Sequence, residues 1–405
     1  MKNLSVNLGG LELKNPLVVA SSDVMRDIRQ IKKAEEFGAS AVILKAIFPP
    51  GAVALESNLR CYLDKKTGSL YGLAGTKRLT YDEGIELLKL AKKETKIKVG
   101  ANIPFYNFED REIYAETARR VVNAGADFVE INYSPQTPVH LQAMVKAGEW
   151  ETKHQVGLER AELTKELPKW SEEGTKIIKQ AVSVPIITKI CPRGIEVGEI
   201  ALAMERGGSH VIDIMNGGGG SPRIDIFDGG KLIMPGARTC CETTLGGAIR
   251  ELANGWAIQV AKTVNIPILG TGGMTSWEHV VERIMFGATA TSFCTLLMIH
   301  GFKSLREIFN GLSGFMEKYG YNRIEDFRGL GLKCIAPSLP LCDLIPSVAR
   351  IDREKCTGCG ICLEPAHCLA MHMEDGFAAV NDKECLGCGT CFLFCPVGAI
   401  SMEVV

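Results

Sequence analysis

The sequence carries almost no charge imbalance. Lys and Arg number 46 against 47 Asp and Glu, a net charge of -1. No whole-chain field therefore draws the protein to nucleic acid or to an anionic membrane. Apolar runs long enough to span a bilayer are missing. The opening segment, MKNLSVNLGGLELKN, lacks the apolar core of a signal peptide. A cytoplasmic protein is the expectation. Also absent is any G-x-G-x-x-G opening a helix after a strand, so no Rossmann unit for NAD(P) or FAD is expected within the chain. With 405 residues, 46% hydrophobic and 23% charged, the composition is that of a globular protein. The length suits one large core plus a small extra module.

Cysteine is the residue in excess. There are 15, and eight of them fall between 356 and the end. In a reducing compartment such a cluster means metal or redox chemistry, not a disulfide framework. Cys356, Cys359 and Cys362 are followed by Cys368. Cys385, Cys388 and Cys391 are followed by Cys395-Pro396. The second run is the C-x2-C-x2-C-x3-C-P pattern in which three close thiolates wrap one face of an iron–sulfur cubane. The fourth cysteine then completes the other cluster. Cys356, Cys359, Cys362 and Cys395 are accordingly assigned to one 4Fe–4S cluster. Cys385, Cys388, Cys391 and Cys368 are assigned to the other. Zinc also accepts C-x2-C pairs, but as two pairs, and here each run carries a third cysteine. The spacer Leu363 to His367 is longer than the usual three residues.

Upstream, eight short apolar segments alternate with helical patterns: Leu17–Ala20, Ala41–Lys45, Lys98–Asn102, Phe128–Asn132, Pro185–Ile190, His210–Met215, Pro267–Gly270 and Thr289–Cys294. Continuous apolar runs suit parallel strands buried on both faces. Several follow a helix stop made of Gly and a small residue, as at Phe37-Gly38-Ala39 and Phe286-Gly287-Ala288. The pattern predicts a TIM (β/α)8 barrel over 1–323, a Gly- and Pro-rich connector over 324–349, and a two-cluster ferredoxin-like domain over 350–405. A doubly wound open sheet is the structural alternative.

In such a barrel the chemistry lies at the carboxyl ends of the strands. Those ends read Ala20-Ser21, Lys45, Asn102, Asn132, Lys189, Asn216, Thr271-Gly272-Gly273 and Cys294-Thr295. The last two turns can converge backbone N–H groups on a phosphate. A strand-end lysine can stabilise a reduced, anionic flavin. The set points to FMN, its phosphate at the seventh and eighth strands and its ring over the barrel mouth. Gly217–Gly220 is expected to be a flexible loop, and Cys240-Cys241 to serve packing.

These residues resemble the dihydroorotate dehydrogenase superfamily, and more closely the FMN and iron–sulfur portion of dihydropyrimidine dehydrogenase. The matching segments are Pro16–Ser21, Leu44-Lys45, Tyr106-Asn107, Glu130-Ile-Asn132, Thr188-Lys189, Met215-Asn216, the GGAIR of Gly246–Arg250, the ILGTGGM of Ile268–Met274, and Phe293–Thr295. The resemblance implies that Lys45 and Lys189 contact the flavin. It implies that Asn107, Asn132 and Asn216 hydrogen-bond a flat polar substrate. Gly246, Gly272, Gly273, Cys294 and Thr295 would surround the ribityl chain and phosphate.

The likeness departs from its pattern at Asn132-Tyr133-Ser134-Pro135-Gln136-Thr137-Pro138. Family members carry an additional Cys or Ser there, which moves the proton that accompanies the hydride. Aligned from the prolines, Ser134 takes that place; aligned from Asn132, Pro135 does. Ser134 is favoured, with Tyr133 and His140 as fallbacks. The orotate-binding asparagine has no counterpart near Gly72–Gly75. The reading is thus an FMN oxidoreductase acting on a C=C bond of a small cyclic, dihydropyrimidine-like substrate, with electrons relayed through two 4Fe–4S clusters. Lacking a nucleotide domain of its own, it would use an FAD- and NAD(P)-binding partner subunit or a ferredoxin, as a homodimer or heterotetramer. The rivals are an electron-transfer subunit without catalysis and an ene-reductase with a non-pyrimidine substrate.

Overall fold

The computed structural model describes residues 2–49, 61–64, 69–72, 79–105, 111–133, 155–190, 196–220, 223–233, 242–335 and 346–405. Eight parallel strands close into a barrel in sequential order: Leu17–Val19, Ala41–Ile43, Lys98–Pro104, Phe128–Asn132, Ile186–Lys189, Val211–Asp213, Ile268–Thr271 and Ala290–Phe293. The eighth pairs with the first, Phe293 opposite Val19, so no open edge remains. An open doubly wound sheet is excluded. Strand residues such as Leu17, Val42, Val99 and Ile187 are buried, as a sheet covered on both faces requires.

Helices follow the strands, and local chemistry fixes their ends. Asp27 and Gln30 form a capping box on the helix Ile28–Glu36; Thr80 and Glu83 do the same for Tyr81–Glu94. Gly38 and Gly287 stop their helices at φ +99° and +100°, a conformation that costs glycine little. Among the described residues no helix is long and apolar enough to cross a membrane.

Antiparallel pieces decorate the barrel. A hairpin pairs Val6–Leu8 with Leu11–Leu13. A four-stranded sheet joins Gly218–Gly220, Glu242–Gly246, Ser69–Gly72 and Cys61–Asp64. The glycine run expected as a flexible loop is therefore, from Gly218, a strand. A Cβ on Gly218 would lie 2.9 Å from Ile249 Cγ2, a close approach that favours glycine at that position.

The chain divides into two compact units, Met1–Cys334 and Ile335–Val405. The expected connector starts too early. Ile324 and Phe327 are buried in the barrel core, which draws 324–334 into the first unit. Its last residues, from Ser347, already belong to the strand Ser347–Ile351, which pairs with Ile400–Val404. In the second unit a further hairpin, Met371–Glu374 with Phe377–Val380, packs on a small core that includes Cys362 and Cys391.

Candidate functional site

The barrel interior carries a buried polar row across the third to sixth strands. Glu130 and Asn132 are two apart in one strand and face the same side. In register, Asn102 lies opposite Glu130, and Asp213 opposite Lys189. Lys189 Nζ lies 2.7 Å from Asp213 Oδ2 and 3.3 Å from Glu130 Oε2, and all three side chains are enclosed. Asn102 Nδ2 donates to Glu130 Oε1. Burial alone would lower the Lys189 ammonium, but Asp213 and then Glu130 outweigh it, and the net shift is upward. Burial raises Glu130 to about 7, against the pull of Lys189. Asp213 makes the tighter contact with the one ammonium, in a place where net charge is costly.

At the second strand's end, Lys45 Nζ donates to Asp23 Oδ2 at 3.1 Å, with both side chains largely buried. Asn216 Nδ2 donates to Asn132 Oδ1 at 3.3 Å, so the sixth and fourth strand ends meet. Ala20 is buried and its N–H donates to the Phe293 carbonyl; Ser21 beside it is half-buried. Gly246 turns at φ +76°. Burial raises the pKa of the Cys294 thiol, which leaves it a weak nucleophile. Thr295 is buried at the start of a short helix, Thr295–His300.

The turn after the seventh strand demands glycine twice. Gly272 and Gly273 have φ +96° and +79°, and Cβ atoms there would lie 2.5 Å from Met215 Sδ and 2.4 Å from Arg250 Cα. Beneath the turn lies Arg283, fully buried. Its Nη1 donates to the Thr271 carbonyl at 2.9 Å and its Nη2 to the Gly272 carbonyl at 3.0 Å.

Asn107, Ser134, His140 and Cys240-Cys241 lie outside the described residues. Tyr133 does not suit a proton-transfer role. It is buried, its hydroxyl lies 3.0 Å from the Ser171 carbonyl and 2.9 Å from Thr175 Oγ1, and burial raises its pKa further. It locks the strand onto the helix Gln155–Ala181. Sequence reading missed Asp23, Glu130, Asp213 and Arg283 as members of the site. For three of them the signal was present as charge inside an apolar run: Glu130 in FVEIN, Asp213 in VIDIM, and Arg283 beside Glu282 in VVERIM.

In the C-terminal unit the eight cysteines ring two cavities. One is lined by Cys356, Cys359, Cys362 and Cys395. The other is lined by Cys368, Cys385, Cys388 and Cys391, with Cys362 also at its edge. Among the described residues no three His, Cys, Asp or Glu side chains converge where a single metal ion could sit; the thiols surround a volume, as a cubane needs. Gly358 and Gly387 hold the two triplet loops at φ +70° and +65°, and a Cβ on either would come within 2.5 Å of a backbone carbonyl oxygen. The Ala399 N–H donates to Cys395 Sγ at 3.1 Å, a bond that favours a thiolate. His367 Nε2 lies 3.4 Å from Cys388 Sγ.

The barrel residues fit FMN: an enclosed ammonium at a strand end, a two-glycine turn, and Asn102 Oδ1, which is buried without a donor among the described residues. A family model described as Dihydroorotate dehydrogenase matches residues 3–316, and one for the 4Fe-4S binding domain matches residues 378–401. The NAD-dependent dihydropyrimidine dehydrogenase subunit PreA of Escherichia coli K12 is 27% identical over 371 residues, 89% of this chain and 84% of that protein. The catalytic subunit of dihydroorotate dehydrogenase B (NAD(+)) from Pyrococcus abyssi is 26% identical over 334 residues, 82% of this chain and 99% of its own length. Its counterpart from Thermoplasma acidophilum is also 26% identical, over 82% of this chain and 100% of its own.

Proposed function

Because this chain belongs to the dihydroorotate dehydrogenase family, as a flavin- and iron–sulfur-dependent oxidoreductase acting on CH–CH groups, we propose that its substrate is a small cyclic, dihydropyrimidine-like compound and that it carries two 4Fe–4S clusters. The observation that carries the substrate reading is the meeting of Asn132 and Asn216 at the barrel mouth. An amide offers an acceptor and two donors, which suits a ring with alternating C=O and N–H groups. The two cysteine-ringed cavities support the cluster count.

Bound FMN would supply hydride transfer to or from the substrate carbon, and the clusters one-electron transfer. The chain's own residues do the rest. Lys189, fixed as an ammonium by Asp213, presents a permanent positive charge where a reduced flavin ring would gather negative charge. Lys45, held by Asp23, does so from the second strand. Asn102, Ala20 and Ser21 would line the flavin edge. Gly246, Gly272, Gly273, Cys294 and Thr295 would enclose its ribityl chain and phosphate. Asn107, with Asn132 and Asn216, orients the substrate ring, and Ser134 moves the proton. An FAD- and NAD(P)-binding partner subunit is the proposed electron source. The relatives named as subunits of NAD-dependent enzymes support it.

The test is anaerobic. The reduced holoprotein is mixed with pyrimidines, with orotate and with unsaturated lactams, while flavin absorbance is followed. Reoxidation by pyrimidines supports the reading. Reoxidation by lactams alone assigns a non-pyrimidine ene-reductase. No response to any of them assigns an electron relay. Iron analysis of the same sample should give about eight atoms per chain, and about four would refute the second cluster.

A further inference from the structure

We propose that Arg283 is the positioning residue of the phosphate turn: it holds the Thr271 and Gly272 carbonyls back so that the Gly272 and Gly273 N–H groups face the FMN phosphate. The inference rests on the FMN reading above and goes beyond it. Arg283 belongs to the helix Trp277–Met285 and has no exposed surface. Its guanidinium donates from Nη1 to the Thr271 carbonyl (2.9 Å), from Nη2 to the carbonyls of Gly272 (3.0 Å) and Arg250 (3.5 Å), and from Nε to Asn254 Oδ1 (2.8 Å). Each partner is a neutral oxygen. Among the described residues no carboxylate pairs with it directly: Glu282, Glu251 and Asp213 act on it from farther off, and Asn254 Nδ2 donates to Glu282 Oε2 at 3.0 Å.

Two consequences follow from peptide geometry. A trans peptide sets its C=O and N–H on opposite sides. With the Thr271 and Gly272 carbonyls drawn onto the guanidinium, the N–H groups of Gly272 and Gly273 point away from it. The same two peptides are then dipoles aligned by a cation, positive end outward, the polarity an anion requires. The site is built around this side chain: a Cβ on Gly270 would lie 2.5 Å from Arg283 Cγ. Burial pulls the guanidinium down to about 10, so it remains a cation at neutral pH. A buried cation without a direct ion pair is costly. Its four hydrogen bonds recover part of that cost, and a phosphate dianion across the turn would offset more of it.

The test uses the apoprotein titrated with FMN and with riboflavin, which differ only by the phosphate. Wild type should prefer FMN. Arg283→Met should lose about 10- to 100-fold in FMN affinity, the worth of one or two charge-assisted hydrogen bonds, with riboflavin affinity changed less than about 3-fold. Arg283→Lys keeps the charge but not the fork and should fall between. It carries the comparison alone if Arg283→Met does not fold. Equal losses for both flavins, or an unchanged ratio, would overturn the inference and leave the FMN site standing. A wild type that binds neither flavin would overturn both.

Discussion

Lys189 faces two carboxylates and can neutralise only one of them. Asp213, at 2.7 Å, takes that part. Glu130, at 3.3 Å and wholly enclosed, is pushed by burial to about 7. A carboxyl whose pKa is higher in the folded state binds more protons there than in the unfolded chain between the two values. Stability then falls as pH rises through that window. The window here runs from about 4.5 to about 7. The melting temperature of the apoprotein, measured against that of Glu130→Gln, should be relatively highest below the window and decline across it. A difference independent of pH would mean that Glu130 ionises like an exposed carboxyl. The charge balance also bears on chemistry: protonated Glu130 leaves the Lys189–Asp213 pair neutral overall, whereas ionised Glu130 adds a negative charge beside the ammonium assigned to the flavin.

At the level of elements, the two-glycine turn is the point of least tolerance. In Gly273→Ala the new Cβ would meet the Arg250 backbone at 2.4 Å, at φ +79°, and no flexible side chain can yield. The loss should be about 1–3 kcal/mol in urea unfolding of the apoprotein. Gly320→Ala is the control, since φ is +77° at a left-handed helix cap but nothing lies within 4 Å, and it should cost about 1 kcal/mol. Equal losses would show that backbone strain alone, and not the close approach, sets the requirement. The barrel strands were legible in sequence because a parallel strand buried on both faces is a largely apolar run, and Leu17–Val19 needed no other cue. The antiparallel sheet was not, since Gly218–Gly220 has no side chains to alternate. The placement of Asn132, Lys189 and Gly272-Gly273 at strand ends could be read from position alone. Asp213 and Arg283 could not: the meaning of each charge depends on the register or helix packing that sets it against Lys189 or the seventh-strand turn.

Across the whole chain, the two units are held by different physics. Met1–Cys334 has a large continuous apolar core. The core of Ile335–Val405 is Ala349, Met371, Ala378 and Ile400, together with the cysteines Cys362 and Cys391. Domains of that size seldom bury enough apolar surface to fold alone, and bound metal commonly supplies the remainder. The thiols ring cavities, so ligation of a cluster there would contribute to folding. Oxidative removal of the iron should therefore unfold the second unit and spare the first. Limited proteolysis of the iron-depleted full-length protein should cut within 335–405, leave a fragment ending near Cys334, and keep the flavin absorbance with that fragment. Flavin released in step with iron would instead mean that the barrel depends on the clusters for its own fold. A C-terminal unit still resistant to protease without iron would mean that its small apolar core is sufficient.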